Sequence, residues 1–211
     1  MNALVMDAGR RFARLAARAV VARPSLWRLF RGPLRAQFDA LAPAWEELLG
    51  PEALAPLAAA LDRLDAPPAR VLDVGTGTGK AARLAAERFP EAEVLGVDLA
   101  PAMVEQARRL LPPKLADRVR FQVADASALP VPDGAVDLVV LLNMIPFFDE
   151  LDRVTAPGGT LVVAHVSGPA TPIWTPPETL RARLAPLGFG SFEELAAGGG
   201  TALLARKTAA E

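Results

Sequence analysis

The sequence predicts an α/β fold, in which a doubly wound and mainly parallel sheet follows an N-terminal helical segment. Short apolar runs typical of buried strands alternate with helical segments from Arg70 onward. The first of these runs, at 71–74, leads into three glycines at alternate positions directly before a helix. A cluster of three glycines at 198–200 joins the last two runs, which predicts a closing antiparallel hairpin.

Composition limits the class of protein. The 211 residues suit one domain with an extension, and we expect a helical extension over 1–66 and a ligand-binding domain over 67–211. A hydrophobic content of 52% supports a sizeable core. The absence of cysteine excludes disulfides, zinc–thiolate sites and thiol nucleophiles, which fits a cytoplasmic location. No apolar run approaches the length of a membrane-spanning helix.

The N-terminal segment is strongly basic. Residues 1–38 contain eight arginines and one acid, Asp7, so their net charge of +7 leaves −8 for the rest of the chain. Apolar residues recur there at helical spacing, at Leu4, Ala8, Phe12, Leu15 and Ala19. We expect a helical cap over the ligand cleft. A peripheral surface for acidic lipid, an anionic substrate or a carrier stays open, as does a cleaved transit peptide.

The glycine loop is the first candidate binding element. Because glycine has no side chain, Gly75, Gly77 and Gly79 let the backbone turn sharply and approach a ligand. The helix predicted over 80–88 adds an N-terminus that favours an anionic group. The next strand, 93–97, ends at Asp98, which is placed to accept hydrogen bonds from ribose hydroxyls. This pattern predicts a nucleoside-containing cofactor, although Asp98 as a simple helix N-cap is an alternative.

Spacing excludes two cofactor classes. A phosphate-binding P-loop that ended at Gly79–Lys80 would need glycine at Val74 and a hydroxyl residue at Ala81. A dinucleotide fingerprint that began at Gly75 would need a small residue at Lys80. Neither pattern fits the loop.

The remaining elements continue the alternation. Helices are predicted over 101–111, 146–154 and 177–187, with strands over 118–123, 137–142 and 160–166. The closing hairpin is predicted over 191–195 and 201–206. Ligands of such a sheet lie at the carboxyl ends of its strands. We expect the Pro- and Thr-rich segment 169–177 to be a loop at this edge, beside the mouth of a substrate site.

The glycine loop after the first strand, Asp98 after the second strand and the strands that follow occur in an order that resembles the class I S-adenosylmethionine (SAM)-dependent methyltransferases, of the methyltransferase type 11 kind. The resemblance extends from about Phe38 to Lys207. The resemblance implies a Rossmann-like seven-stranded sheet, SAM as cofactor and S-adenosylhomocysteine as product. It assigns the methionine part of the cofactor to Asp73, Gly75, Thr76, Gly77 and Gly79. It assigns the ribose and adenine to Asp98, Leu99, Met103, Asp125 and Ala126, with Asn143 at the end of the fourth strand.

Methyl transfer from a sulfonium needs mainly alignment of the reactants and exclusion of water. If the acceptor must lose a proton, His165 is the candidate base, since its unperturbed pKa of about 6.5 suits proton transfer. A packing role for His165 is the alternative. We expect Phe38, Trp45, Phe147 and Trp174 on the substrate side, and no metal ion.

A small-molecule acceptor is the expected partner. The segment from Asn143 lacks the adjacent prolines of enzymes that methylate amino groups of bases, so a nucleic-acid acceptor is disfavoured. Two alternatives remain. One is a nucleic-acid or protein methyltransferase that uses the basic N-terminus, and the other is a SAM-binding partner protein without catalysis.

Overall fold

The computed structural model describes residues 3–209, without the side chains of residues 3–5 and 51. The predicted helical position of the Leu4 side chain therefore lies outside the described residues. Within the described range the chain forms one seven-stranded sheet with helices on both faces, which confirms the predicted fold class. None of its helices over residues 3–209 has both the length and the apolar character needed to cross a membrane.

The helices and strands have the following bounds. The helices are α1 (Ala3–Ala22), α2 (Trp27–Leu41), α3 (Trp45–Leu48), α4 (Ala55–Leu61), α5 (Lys80–Arg88), α6 (Pro101–Arg109), α7 (Phe148–Val154) and α8 (Pro177–Leu184). The strands are β1 (Arg70–Val74), β2 (Glu93–Asp98), β3 (Val119–Val123), β4 (Val136–Leu142), β5 (Thr155–His165), β6 (Phe189–Ala197) and β7 (Gly200–Lys207).

The sheet has the order β3-β2-β1-β4-β5-β7-β6. Strands β1 to β5 run parallel, and β7 lies antiparallel between β5 and β6. The central strands β1 and β4 are buried on both faces, which explains their continuous apolar sequences. The predicted terminal hairpin is therefore confirmed, and it forms one edge of the sheet.

Each face of the sheet has its own apolar core. One face packs against α4, α5 and α6, through side chains such as Leu57, Ala82 and Val104. The other face packs against α7 and α8 and also against α1 and α2, which bury Val20 and Trp27 there. Small residues on α1, including Ala13 and Ala16, let this helix approach closely. The N-terminal helices thus share a core with the sheet.

Several element boundaries differ from the predicted ones for local reasons. Helix α6 ends at Arg109 because Pro112 and Pro113 disfavour helical backbone just before them. Helix α8 ends at Leu184, where Pro186 follows within a short 3-10 turn. Strand β5 begins earlier than predicted, at Thr155, since Thr155 pairs with Val136 across an irregular register. Helix α7 begins at Phe148, two residues later than predicted, and α4 lies within the N-terminal segment that was predicted to be helical.

Candidate cofactor and acceptor site

The glycine loop follows β1 and adopts backbone conformations that favour glycine. Gly75, Gly77 and Gly79 have φ angles of +75°, +54° and +84°. The backbone N–H groups of Gly75 and Thr76 donate to the carbonyl of Val97, at 2.8 and 2.9 Å. These bonds hold the loop at the carboxyl ends of β1 and β2, where the topology predicts a ligand.

Asp73, near the end of β1, is 1% exposed and lines the cavity beside the loop. Its Oδ2 accepts hydrogen bonds from the Thr76 hydroxyl at 2.6 Å and the Ala82 N–H at 3.0 Å. Its Oδ1 has no partner in the part of the chain that the structure describes. Burial raises the pKa of Asp73 to about 7, although the bonds from Thr76 and Ala82 lower it. A buried acceptor left without a donor fits a ligand that supplies an N–H group.

Asp98, at the end of β2, lines the same cavity. Its Oδ2 accepts the N–H of Gly77 at 2.8 Å, and its Oδ1 accepts the N–H of Ala100 at 2.9 Å. Burial raises the pKa of Asp98 to about 6, against the lowering effect of these two bonds. Ala100 is the N-cap residue of α6 and has no side-chain cap, so the N-cap interpretation of Asp98 is wrong.

The cavity has a volume of about 80 Å³ and lies against the glycine loop. Most of the predicted cofactor residues line it, namely Asp73, Gly75, Thr76, Gly77, Asp98, Leu99, Met103, Ala126 and Asn143. Gly79 does not line it. A Cβ at Gly79 would lie 2.7 Å from the Phe121 ring, so this glycine permits close packing of the loop on β3.

Asp125, which the resemblance assigns to the cofactor, lies beside the cavity, since its neighbours Ala124 and Ala126 line the cavity and Asp125 does not. Its Oδ1 accepts hydrogen bonds from the Trp27 indole N–H at 2.7 Å and from the Ser127 N–H at 2.9 Å and hydroxyl at 2.7 Å. The Arg31 guanidinium lies 3.7 Å from its Oδ2. This carboxylate therefore ties α2 to the loop after β3.

The four predicted substrate-side residues separate into two pairs. Phe38 and Trp45 pack edge to face, with ring centroids 5.6 Å apart, and both line the cofactor cavity. Phe147 instead packs against Trp27, with centroids 5.1 Å apart, and it does not line the cavity. Trp174 does not line it either, and Ile173 is the residue of segment 169–177 that does.

His165 is placed away from the cofactor cavity, so the geometry does not support its predicted role as a base. Its side chain is 2% exposed and lines a separate pocket with Val163 and Leu180. Its Nε2 accepts the N–H of Thr175 at 3.3 Å. Burial lowers the pKa of His165 to about 4, which keeps the ring neutral at physiological pH. A packing role fits all of these observations.

A network around Glu46 was missed because its members lie far apart in sequence. The Glu46 carboxylate accepts a hydrogen bond from the Thr78 hydroxyl and lies 3.3 Å from Lys80 Nζ and 3.5 Å from Arg83 Nη2. Burial acts to raise the pKa of Glu46, but the bond from Thr78 and the nearby cations lower it below its usual value. Lys80 also donates to the Leu49 carbonyl at 2.9 Å. These contacts fix α3 on the start of α5.

Asn143, just after β4, has a strained backbone for a residue with a side chain. Its φ angle is +55°. Its N–H donates to the Ala164 carbonyl at 2.9 Å, and its Oδ1 accepts the N–H of Val166 at 3.0 Å. Asn143 therefore connects the ends of β4 and β5 at the cavity wall.

A second and larger cavity, of about 590 Å³, adjoins the first. It lies between α1, α2 and α3 on one side and the segment after β5 on the other. Phe38, Trp45, Leu49, Asn143 and Ile173 line both cavities. The two cavities therefore meet at these side chains, in an arrangement that suits a cofactor and an acceptor placed side by side.

Comparison with known proteins gives a consistent result. Residues 71–159 match the family described as a methyltransferase domain. Demethylmenaquinone methyltransferase from Thermus thermophilus is 47% identical over 113 residues, which cover 50% of this chain and 51% of that protein. Malonyl-acyl-carrier protein O-methyltransferase from Halorhodospira halophila is 40% identical over 147 residues, or 65% of this chain and 49% of that protein. The chain spans about half the length of these curated relatives.

Solved structures share the fold. A SAM-dependent methyltransferase from Aquifex aeolicus has a TM-score of 0.64 at 20% identity, covering 78% of this chain and 97% of that chain. Human N-acetylserotonin methyltransferase, in complex with SAM, has a TM-score of 0.64 at 19% identity, covering 87% of this chain and 58% of that chain. Sheet order, glycine loop and adjoining cavity define the class of Rossmann-like cofactor-binding domains. Within that class, residues 71–159 match the methyltransferase domain family, and the chain is similar to SAM-dependent methyltransferases.

Proposed function

We propose that the chain binds SAM at the glycine loop and transfers its methyl group to a small-molecule acceptor. The observation that carries the cofactor part of this proposal is the unpartnered Oδ1 of Asp73, buried beside a loop whose glycines have positive φ angles. The acceptor part is supported by the larger cavity, which shares Phe38, Trp45 and Asn143 with the cofactor cavity. Relatives with small acceptors, such as demethylmenaquinone, agree with it.

Each lining residue then has a proposed role. Asp73 and the glycine loop hold the methionine part, and Asp98 accepts hydrogen bonds from the ribose hydroxyls. Leu99, Met103 and Ala126 surround the adenine. Bound SAM supplies a methyl group that its sulfonium already activates. The protein contributes alignment and water exclusion, for which the Phe38 and Trp45 rings are placed between the two cavities.

Ligand-dependent thermal unfolding tests the cofactor assignment. At about 100 times its dissociation constant, a ligand that binds only the folded state adds about 2.7 kcal/mol, so SAM and S-adenosylhomocysteine are expected to raise the Tm by about 5–10 °C. NADH is the matched control, because it shares the adenosine but not the methionine part. A shift with NADH alone, or no shift with either adenosyl ligand, contradicts the proposal.

We also propose that residues 1–66 act as a cap on a SAM-binding domain of residues 67–211, and that the protein works in the cytoplasm. The eight arginines of residues 1–38 are all exposed. Leu15 and Leu29, at 61% and 63% exposure, are large apolar side chains on the same two basic helices. Arginines interspersed with exposed leucines favour peripheral contact with an anionic membrane.

Vesicle sedimentation tests the peripheral contact. The chain is expected to sediment with vesicles that contain anionic phosphatidylglycerol and to stay in solution with neutral phosphatidylcholine. The L15S/L29S double variant is expected to bind the anionic vesicles several-fold more weakly, whereas a purely ionic contact would leave its binding unchanged. Equal sedimentation with both lipids, or tighter binding to RNA than to anionic vesicles, overturns the proposal.

A further inference from the structure

We infer that the acceptor is a molecule with an apolar body and an oxyanion, such as a carboxylate, that is already ionised before it binds. This inference rests on the proposed function and specifies its substrate class. Three features of the two adjoining cavities lead to it: the apolar wall of the larger one, the sign of the charge at its rim, and the residues available as a base.

The larger cavity is built mainly from apolar side chains. Phe12 and Ala13 of α1 face it from one side, Leu41 of α2 from another, and Ile173 closes it beside the cofactor cavity. Its volume of about 590 Å³ lies within the usual range for sites that hold small organic molecules. An acceptor that is polar throughout would lose its hydration against this wall without gaining hydrogen bonds. The body of the acceptor is therefore apolar.

The charge at the rim is positive. Among the described residues that line the larger cavity, Arg10 is the only one with a charged side chain. Arg35 lines the adjoining cofactor cavity and lies 3.6 Å from the Asp39 carboxylate, which offsets its charge. The other polar side chains at the larger cavity, Gln37, Asn143, Ser167 and Thr171, are neutral. An anionic group on the acceptor matches the charge of Arg10, and a cationic group beside Arg10 would meet like charge.

No described residue at the junction of the two cavities is a candidate for removing a proton from the acceptor. The acids among the described lining residues are Asp73 and Asp98, which hydrogen bond to the glycine loop and to the start of α5 or α6. The neutral ring of His165 lines a different pocket. Lys80 lies against Glu46 and the Leu49 carbonyl.

An acceptor that arrives ionised needs no base. A lone pair on its oxygen forms the bond to the methyl carbon as the carbon–sulfur bond breaks, and the electron pair of that bond remains on sulfur. The products are a methyl ester and neutral S-adenosylhomocysteine, and no proton is transferred. The reaction therefore balances with only SAM and the acceptor as reactants.

Calorimetry with three ten-carbon probes tests the inference on the intact chain saturated with S-adenosylhomocysteine. Decanoate is expected to bind at least tenfold more tightly than decylammonium, with decanol between them. Ala40 of α2 lines the cavity and Ala36, one turn away on the same helix and also exposed, does not. Ala40→Trp is expected to weaken decanoate binding at least fivefold, and the matched control Ala36→Trp to leave it within twofold.

The possible outcomes distinguish a failure of the proposed function from a failure of the inferred acceptor class. Failure of the native chain to bind S-adenosylhomocysteine contradicts the proposed function itself. Normal binding of S-adenosylhomocysteine together with equal or tighter binding of decylammonium contradicts only the inferred acceptor class. Equal effects of Ala40→Trp and Ala36→Trp on decanoate also contradict it, since the probe would then bind elsewhere. Ala8→Trp, on the opposite wall, provides a second test if Ala40→Trp does not fold.

Discussion

Replacement of Asp98 by alanine is expected to lower the affinity for SAM at least tenfold. A hydrogen bond to a charged acceptor contributes about 1.5–3 kcal/mol, and this carboxylate also holds Gly77 at the cavity wall. Since burial raises the pKa of Asp98 to about 6, its acceptor form is lost as the pH falls through that value. The native affinity should therefore decrease as the pH falls through about 6, and the Asp98→Ala variant should keep only the part of the pH dependence that comes from Asp73, whose pKa lies at about 7.

Titration calorimetry with S-adenosylhomocysteine between pH 5 and 8 measures both effects. Asp117→Ala serves as the matched control, because Asp117 is exposed and does not line the cofactor cavity. The control should show the native affinity and the native pH dependence. Native affinity of the Asp98→Ala variant at pH 7.5 would contradict the proposed contact between Asp98 and the ribose.

The Gly77→Val variant is expected to fold but to bind no SAM. Gly77 has a φ angle of +54°, a region in which a β-branched residue is strained by about 1–3 kcal/mol. A Cβ at this position would lie 3.1 Å from Trp45 Nε1, so the valine side chain would occupy the space between the loop and this ring. Circular dichroism should show a folded chain with a lowered Tm, and calorimetry should show no heat of binding.

Gly32→Val provides the control for the Gly77 variant. Gly32 lies on α2 with open space around its Cβ position, so the same change there should leave binding intact. Native affinity in the Gly77→Val variant would show that SAM does not approach the loop closely.

The parts of the site that follow from local sequence could be predicted, and those that depend on distant packing could not. Asp73, Asp98 and the glycine loop lie within one strand–loop–helix–strand segment, so their spacing alone brings them together at the sheet edge. Asp125 sits in the predicted motif, yet its partner Trp27 is 98 residues away on α2, and no local pattern predicts that bond. The contact of Glu46 with Thr78 is another such case, 32 residues apart in sequence.

The orientation of the His165 side chain shows a second limit of prediction from the sequence. Its position at the end of β5 was predicted, but alternation along a strand permits either face of the sheet. The packing of α8 decides the face, since Leu180 of α8 lines the same pocket as His165. The short helix α4 lies in the N-terminal segment that was predicted to be helical, but its bounds were not predicted.

The contact between Glu46 and the start of α5 has a consequence for the dependence of the site on ionic strength. A Cβ at Gly77 would lie 3.1 Å from Trp45 Nε1, so the Trp45 ring packs on the glycine loop. Glu46, the next residue, is held on α5 by ion pairs with Lys80 and Arg83, and dissolved salt weakens such pairs by screening them. The packing of α3 on the loop is therefore expected to loosen as the salt concentration rises.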